Sequence, residues 1–361
     1  MKILITNHAL DRRAGTELYV RDLAIGLKAR GHEPVCFSPL LGSVAEEIRQ
    51  AGIAVTDDLT PVSAPDILHC HHHPVTALAC MAFPQTPAIS VCHGVKPWQE
   101  APLARFPNIL AHVAVDQPCF DFLAGQEIAS DTIVIIPNGV DLKRFTAAAV
   151  ARDDPDRQRR ALLISNIATP AELDPFRQAC EANGLSLEFA GAAGEVMRAP
   201  EKDLPGYGLV FAKARAALEA MASGCAVILS DYGRIGPRVT TDRFETLRRA
   251  NFGFSVIDRI PTPDALAGEI KAVDWQDAAR VSARVRAEAD FANAVESYED
   301  LYLKLAGKPV DASLSPAAMQ AYLGAILPQL QERDDLATRL YTETAIRLQR
   351  EQALAVLRAE D

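Results

Sequence analysis

KILITNHALDRRAGTELYVRDLAIGLKARGHEPVCF, residues 2–37, reads as a strand, a helix and a second strand. KILIT (Lys2–Thr6) is a short apolar run of the kind that a sheet buries on both faces. Thr16–Arg30 carries Leu18, Leu23 and Leu27 on or near one face of a helix, and Gly31-His32 closes it. Pro34–Phe37 is the next strand. Strands separated by helices belong to a parallel sheet covered on both faces.

The same alternation runs outward from this unit. Ser43–Ala51 reads as helix, and Ile53–Thr56 and Asp66–His72 as strands. A helix from Pro74, the strands Ala88–His93 and Ile109–Val115, a helix after Pro118 and the strand Thr132–Ile136 follow. ARDDPDRQRR (Ala151–Arg160) is charged, contains Pro155, and is the linker candidate. The alternation then restarts with strands at Ala161–Ser165, Leu185–Ala190, Leu209–Ala212 and Ala226–Ser230. Helices are expected at Pro170–Asn183, Ala214–Ala222 and Thr241–Arg249. Trp275–Leu305 is helical throughout, and after Gly307-Lys308-Pro309 come Pro316–Leu327 and Gln329–Glu360, with Pro328 as an interruption. The fold class is therefore α/β, two tandem doubly wound Rossmann-like domains with a C-terminal helical extension. The expected boundaries are residues 1–152 and 158–290 for the two domains, 291–308 for a helix returning to the first, and 314–361 for a helical tail. The leucines of that tail follow no good heptad, so a strict coiled coil is not expected. A helix packed on the body, on a second copy or exposed all fit.

Composition narrows the function. The chain has 361 residues, half of them hydrophobic, which supports two cores. Its formal charge of -10 argues against a nucleic-acid backbone as partner. No apolar run is long enough to span a bilayer, and MKILITNHAL lacks a signal-peptide core. The seven cysteines contain no Cys-x-x-Cys pair and sit in apolar surroundings, as reduced thiols of a cytoplasmic protein do.

In open parallel sheets the ligand crevice lies beyond the carboxyl ends of the strands. The residues that follow these strands are polar: Asn7 and His8; His71, His72 and His73; His93 and Gly94; Asp116; Asn138 and Gly139. Four of the eight histidines fall within HCHHH, residues 69–73. Along a strand His69 and His71 face one way and Cys70 and His72 the other, so the cluster cannot converge on one ion. No metal is expected. DDPD (Asp153–Asp156) is a solvated linker segment, and GRIGP (Gly233–Pro237) is either a pocket lining or a plain loop. No P-loop and no Gly-x-Gly-x-x-Gly after the first strand is present.

Three segments, AGTELYVRDLAIGLKARGHE (Ala14–Glu33), IIPNGVDLKRF (Ile135–Phe145) and ALEAMASGCAVILSD (Ala217–Asp231), resemble glycosyltransferase family 4 in matching order over roughly the first 300 residues. That resemblance implies the GT-B fold, with an acceptor-binding first domain and a nucleotide-sugar-binding second domain. It implies transfer of a sugar from a nucleotide-diphosphate donor to a glycan or lipid-linked acceptor, with retention and without an essential metal or other cofactor. His93 in SVCHG matches the family's active-site histidine. Gly15 matches the glycine near the donor phosphates, and Glu219 the second glutamate of a Glu-x7-Glu motif that holds the ribose. His72, His73 and Asn138 would line the acceptor side or the cleft.

The second domain departs from the family. Phe211 stands where the first glutamate of the motif belongs, and no Lys or Arg follows Ser165-Asn166-Ile167 until Arg177. Lys213 and Arg215 sit at the amino end of a helix, where cations are disfavoured unless an anion is bound. They are the expected replacement for the diphosphate clamp, with Arg215 offering two parallel contacts. The departures also keep a second reading in play, a non-catalytic GT-B-like protein that binds a glycan or a protein partner. A sugar-nucleotide epimerase on the same architecture is a third, and the scarcity of donor-side carboxylates speaks against it. The family setting is cytoplasmic, at the inner membrane surface where the acceptor is a lipid, and the tail could pair two copies.

Overall fold

The computed structural model describes residues 1–96, 98–146, 154–165, 170–191, 197–231 and 233–360. Asp153 and Asn166, singled out above, lie outside the described residues.

The first half is built on seven strands: β1 (Lys2–Thr6), β2 (Glu33–Phe37), β3 (Ala54–Thr56), β4 (Ile67–His71), β5 (Ala88–Cys92), β6 (Ile109–Ala114) and β7 (Ile133–Ile135). They pair in the order β3-β2-β1-β4-β5-β6-β7, parallel throughout. Helices α1 (Gly15–Ala29), α2 (Ser43–Gln50), α3 (His73–Ala82) and α4 (Gln117–Gly125) connect them. The chain winds from β1 to β3, then crosses to β4 on the other side of β1. The carboxyl ends of β1 and β4 thus flank the point where the winding direction reverses, the position at which open parallel sheets bind ligands. Asp116, expected at that edge, caps α4: its carboxylate accepts the Cys119 N–H at 2.8 Å.

The second half holds α5 (Pro155–Gln158), β8 (Arg160–Ser165), α6 (Pro170–Ala182), β9 (Ser186–Gly191), α7 (Pro200–Asp203), β10 (Leu209–Ala212), α8 (Ala214–Ala222), β11 (Ala226–Asp231), β12 (Arg234–Arg238), α9 (Phe244–Arg249), α10 (Pro263–Lys271) and α11 (Trp275–Glu288). The sheet order is β12-β11-β10-β8-β9. GRIGP is neither loop nor pocket: its residues from Arg234 on form β12, an edge strand antiparallel to β11, where Pro237 is tolerated. The linker candidate is also more structured than its charge suggested. Arg157 is buried and donates to the Pro205 carbonyl at 2.9 Å.

The helical stretch Trp275–Leu305 breaks at Ala289-Asp290, where the Asp290 side chain caps α12 (Phe291–Leu305). Helix α12 lies on the first half. Val295, Tyr298 and Tyr302 join the core of Ile3, Leu23 and Val91, and Gly26 of α1 leaves room for Val295. Helix α13 (Ser315–Glu360) is continuous through Pro328. Pro328 is exposed, so the carbonyl it leaves without a donor can bond water. Its first turns pack Met319, Tyr322 and Ile326 onto the α3 side of the first sheet, and Leu336, Leu340 and Tyr341 farther along are exposed. Among the described residues no helix is long and apolar enough to cross a membrane.

Candidate functional site

At the carboxyl ends of β4 and β5 two imidazoles meet. His71, the last residue of β4, is fully buried, and its Nδ1 lies 2.7 Å from Nε2 of His93, which follows β5. The rings are nearly coplanar, 28° apart. The β4 alternation puts His69 on the same face, 4.6 Å from His71 between ring centres, with its Nδ1 against the Tyr302 hydroxyl of α12. Tyr19 of α1 stands edge-on to His71 and, at 5.0 Å, to His93. Burial pushes His93 down to about 4, and holds His71 well below the usual range with help from the neighbouring imidazoles. Both rings are neutral at pH 7. The backbone N–H of His93 donates to Glu100 at 3.2 Å. Burial raises the Glu100 carboxyl to about 8, against that hydrogen bond.

The other histidines of the cluster do structural work. His72 is in the left-handed region at φ 63° and precedes α3. Its carbonyl accepts from the Thr76 N–H and hydroxyl, and its Nδ1 faces the His8 N–H at 3.4 Å. The side chain is half-buried, edge-on to His8. His73 corrects the expectation of a cleft lining. It is buried, with Nδ1 on the Tyr322 hydroxyl at 2.8 Å and Nε2 on the Trp98 carbonyl at 3.0 Å. Both nitrogens are taken, Nδ1 by α13 and Nε2 by the loop after β5. Among the described residues no three His, Cys, Asp or Glu side chains gather to hold a metal ion.

Gly15 is the first residue of α1. Ala14 before it offers no side-chain cap, and a Cβ on Gly15 would meet nothing within 4 Å, so this amino end is open. Asn138 is half-buried, and its Oδ1 has no partner among the described residues.

The loop after His93 reaches the second half, where Lys96 Nζ lies 3.4 Å from the Phe254 ring centre. The Phe252 carbonyl accepts the N–H of Ala214, the first residue of α8. Here the clamp expectation meets a physical correction at Arg215, which is held between two carboxylates, while Lys213 stays more exposed. The cations at this helix start do have anions, but the protein supplies them. Lys213 pairs with Asp231 at the end of β11. Arg215 pairs with Glu219 at 2.8 Å, one turn on, and with Asp22 of α1. Burial disfavours the Arg215 cation, yet Asp22 and Glu219 outweigh it and raise its pKa. Glu219 is buried and gives one carboxylate oxygen to Arg215. Phe211 is fully buried against Phe176, in the core rather than in a pocket.

Tyr19, Asp22 and Glu100 went unnoticed in the sequence. Asp22 beside Arg21 reads as a solvated pair, and Glu100 sits in an aperiodic loop. Two hollows of about 500 and 490 Å³ lie elsewhere, at the amino ends of the sheets around Lys2 and Lys28 and around Asn183 and Trp275.

Residues 58–144 match the family model described as Glycosyltransferase Family 4. The match spans β4 to β7 and includes His71, His93 and Asn138. No curated protein sequence matches. Among solved structures, Anabaena HepE, crystallised with UDP and glucose, aligns at 15% identity and a TM-score of 0.60, over 84% of this chain and 100% of its own. A glycosyltransferase of Rickettsia africae aligns at 15% identity and 0.58, over 85% and 99%. The UDP-GlcNAc 2-epimerase of Neisseria meningitidis, bound to UDP-GlcNAc, aligns at 12% identity and 0.54, over 84% and 100%. The chain has the GT-B fold, and residues 58–144 within its first half match the glycosyltransferase family 4 model.

Proposed function

We propose that this chain is a glycosyltransferase that moves a sugar from a nucleoside-diphosphate sugar to a glycan or lipid-linked acceptor, with retention and without a required metal. The observation that carries this reading is the placement of His93. It is a neutral imidazole at the sheet's carboxyl edge, backed by His71 and next to α1, on a loop that reaches the second half. The donor lies between the halves. The start of α1 at Gly15, which has no side-chain cap from Ala14, turns backbone N–H groups toward the diphosphate, in the role a metal ion would otherwise fill. Lys213 faces the same anion from the start of α8, while Arg215 and Glu219 stiffen that start from beneath. His72 and Asn138 border the acceptor. The chemistry belongs to the cytoplasmic side, and the exposed arm of α13 pairs two copies.

A second reading, a non-catalytic binding protein, draws on one observation: Arg215 is already neutralised by two carboxylates. Calorimetric titration with UDP-, GDP-, ADP- and dTDP-sugars separates the two, followed by a donor-turnover assay in EDTA. Binding with slow, chelator-insensitive sugar release supports the enzyme. No heat with any of them favours the binding protein. Conversion of a UDP-sugar to its epimer without sugar release would overturn both.

A further inference from the structure

The His71–His93 contact decides which nitrogen of His93 carries its proton. Both rings are neutral and one must donate to the other across 2.7 Å. If His93 donated from Nε2, His71 would have to carry its own proton on Nε2. That nitrogen is buried and has no partner among the described residues, so an N–H there would be orphaned. Buried N–H groups without acceptors are rare, and a bare lone pair in the same place is tolerated better. If instead His71 donates from Nδ1, its Nε2 is only a lone pair. His93 then accepts at Nε2 and holds its proton on Nδ1. No protein hydrogen bond to His93 Nδ1 is present among the described residues, and that atom is not closed off from solvent.

We propose that His71 is a positioning residue that fixes His93 in its Nδ1–H tautomer, so that His93 offers the cleft a hydrogen-bond donor for a ligand oxygen and not a base. The role of the ligand oxygen rests on the glycosyltransferase reading; the tautomer does not. An imidazole fixed this way cannot take a proton from an attacking acceptor hydroxyl through its outward nitrogen. An inverting displacement needs such a base. A retaining reaction needs a donor near the transferred sugar or the leaving diphosphate, which this tautomer supplies.

The test is long-range proton–nitrogen correlation NMR on the histidine-labelled full chain at pH 7, with His93 assigned through His93→Gln. The expected pattern is pyrrole-type Nδ1 and pyridine-type Nε2 for His93, and pyrrole-type Nδ1 for His71. A pyrrole-type Nε2 on His93 would overturn the proposal, and this measurement on the wild-type chain needs no turnover. In His71→Phe the proton of His93 should move toward Nε2, the form a free side chain favours. If nucleotide-sugar turnover is found, the same variant should lose on the order of 100-fold in kcat with little change in KM. An unchanged His93 tautomer in a folded His71→Phe would sink the claim that His71 sets it. Absence of turnover would instead count against the glycosyltransferase reading alone.

Discussion

The Arg215 guanidinium at the start of α8 closes on the Asp22 carboxylate of α1, so the two halves of the molecule share one largely buried ion pair. Asp22 also takes Arg21 at 2.7 Å, and Arg144 stands 3.7 Å away. Against burial, Arg215 and then Arg21 hold the Asp22 carboxyl below its usual range. Removing one member of such a set leaves the others charged and desolvated. Asp22→Asn should lower unfolding stability by about 3 kcal/mol, read from urea denaturation. A loss under about 0.5 kcal/mol would show that the set is solvated and not a joint between the halves.

Acid sensitivity should come from the buried imidazoles. Burial, then the charge of His93, pushes His69 down to about 3, and burial pushes His93 to about 4. Their folded values lie below the unfolded value near 6.5, so the unfolded chain binds more protons between pH 3 and 6.5. Stability therefore falls as pH drops from 6.5 toward 3, and is flat in these groups above 6.5. His69→Phe should flatten that slope in urea midpoints taken at pH 4.5, 5.5 and 7. An unchanged slope would mean that His69 is hydrated in the folded state.

How far these features were legible depends on their range in sequence. KILIT announced its strand because a buried parallel strand is a continuous apolar run, and Ala214–Ala222 matched its helix to the residue. The position of His93 after a strand was readable from the same grammar. What could not be read was pairing. Arg215 looked like a diphosphate clamp because its nearest carboxylate by sequence is one helical turn away, and its other partner, Asp22, is 193 residues distant. His73 looked like a cleft residue because Tyr322 comes 249 residues later. The antiparallel β12 was missed because a Gly and a Pro within five residues argue for a loop wherever the strand's edge position is unknown.

Gly139 should tolerate no side chain. A Cβ there would lie 2.7 Å from the Phe291 Cα and 2.8 Å from its backbone N. The close approach lets Val140 N–H bond the Ala289 carbonyl at 2.8 Å and Phe291 N–H bond the Val140 carbonyl at 3.0 Å. Both partners are main chain and cannot swing aside. Gly139→Ala should cost about 1–3 kcal/mol, measured by thermal or urea unfolding. A neutral effect would contradict the crossing of the two segments.

Lys213 carries the donor-side part of the proposed function. Its side chain is 35% exposed beside Asp231. Lys213→Ala should weaken nucleotide-sugar affinity about tenfold, or ~1.4 kcal/mol, with Lys213→Arg recovering part of it. Calorimetry reads both. Equal affinity in all three proteins would leave the diphosphate to the α1 end alone.

The tail should prove to be part of the first half up to its fourth turn or so and separable beyond it. Tyr322 is buried in the core around Leu68, Val75 and Cys80, and its hydroxyl meets His73. Arg333 lies over the Trp98 ring at 4.7 Å but is itself exposed. The two contacts differ in burial, so they should differ in energy. Tyr322→Phe loses one hydrogen bond and leaves His73 short of a donor, about 1 kcal/mol. Tyr322→Ala also opens a cavity, about 3–5 kcal/mol by analogy with other aromatic truncations. Arg333→Ala should cost no more than ~1 kcal/mol. Ending the chain after Asp335 should then leave the unfolding transition almost in place, while ending it after Val310 should shift it by several degrees. Equal shifts for the two truncations would mean that α13 stabilises the body through its arm and not through Tyr322.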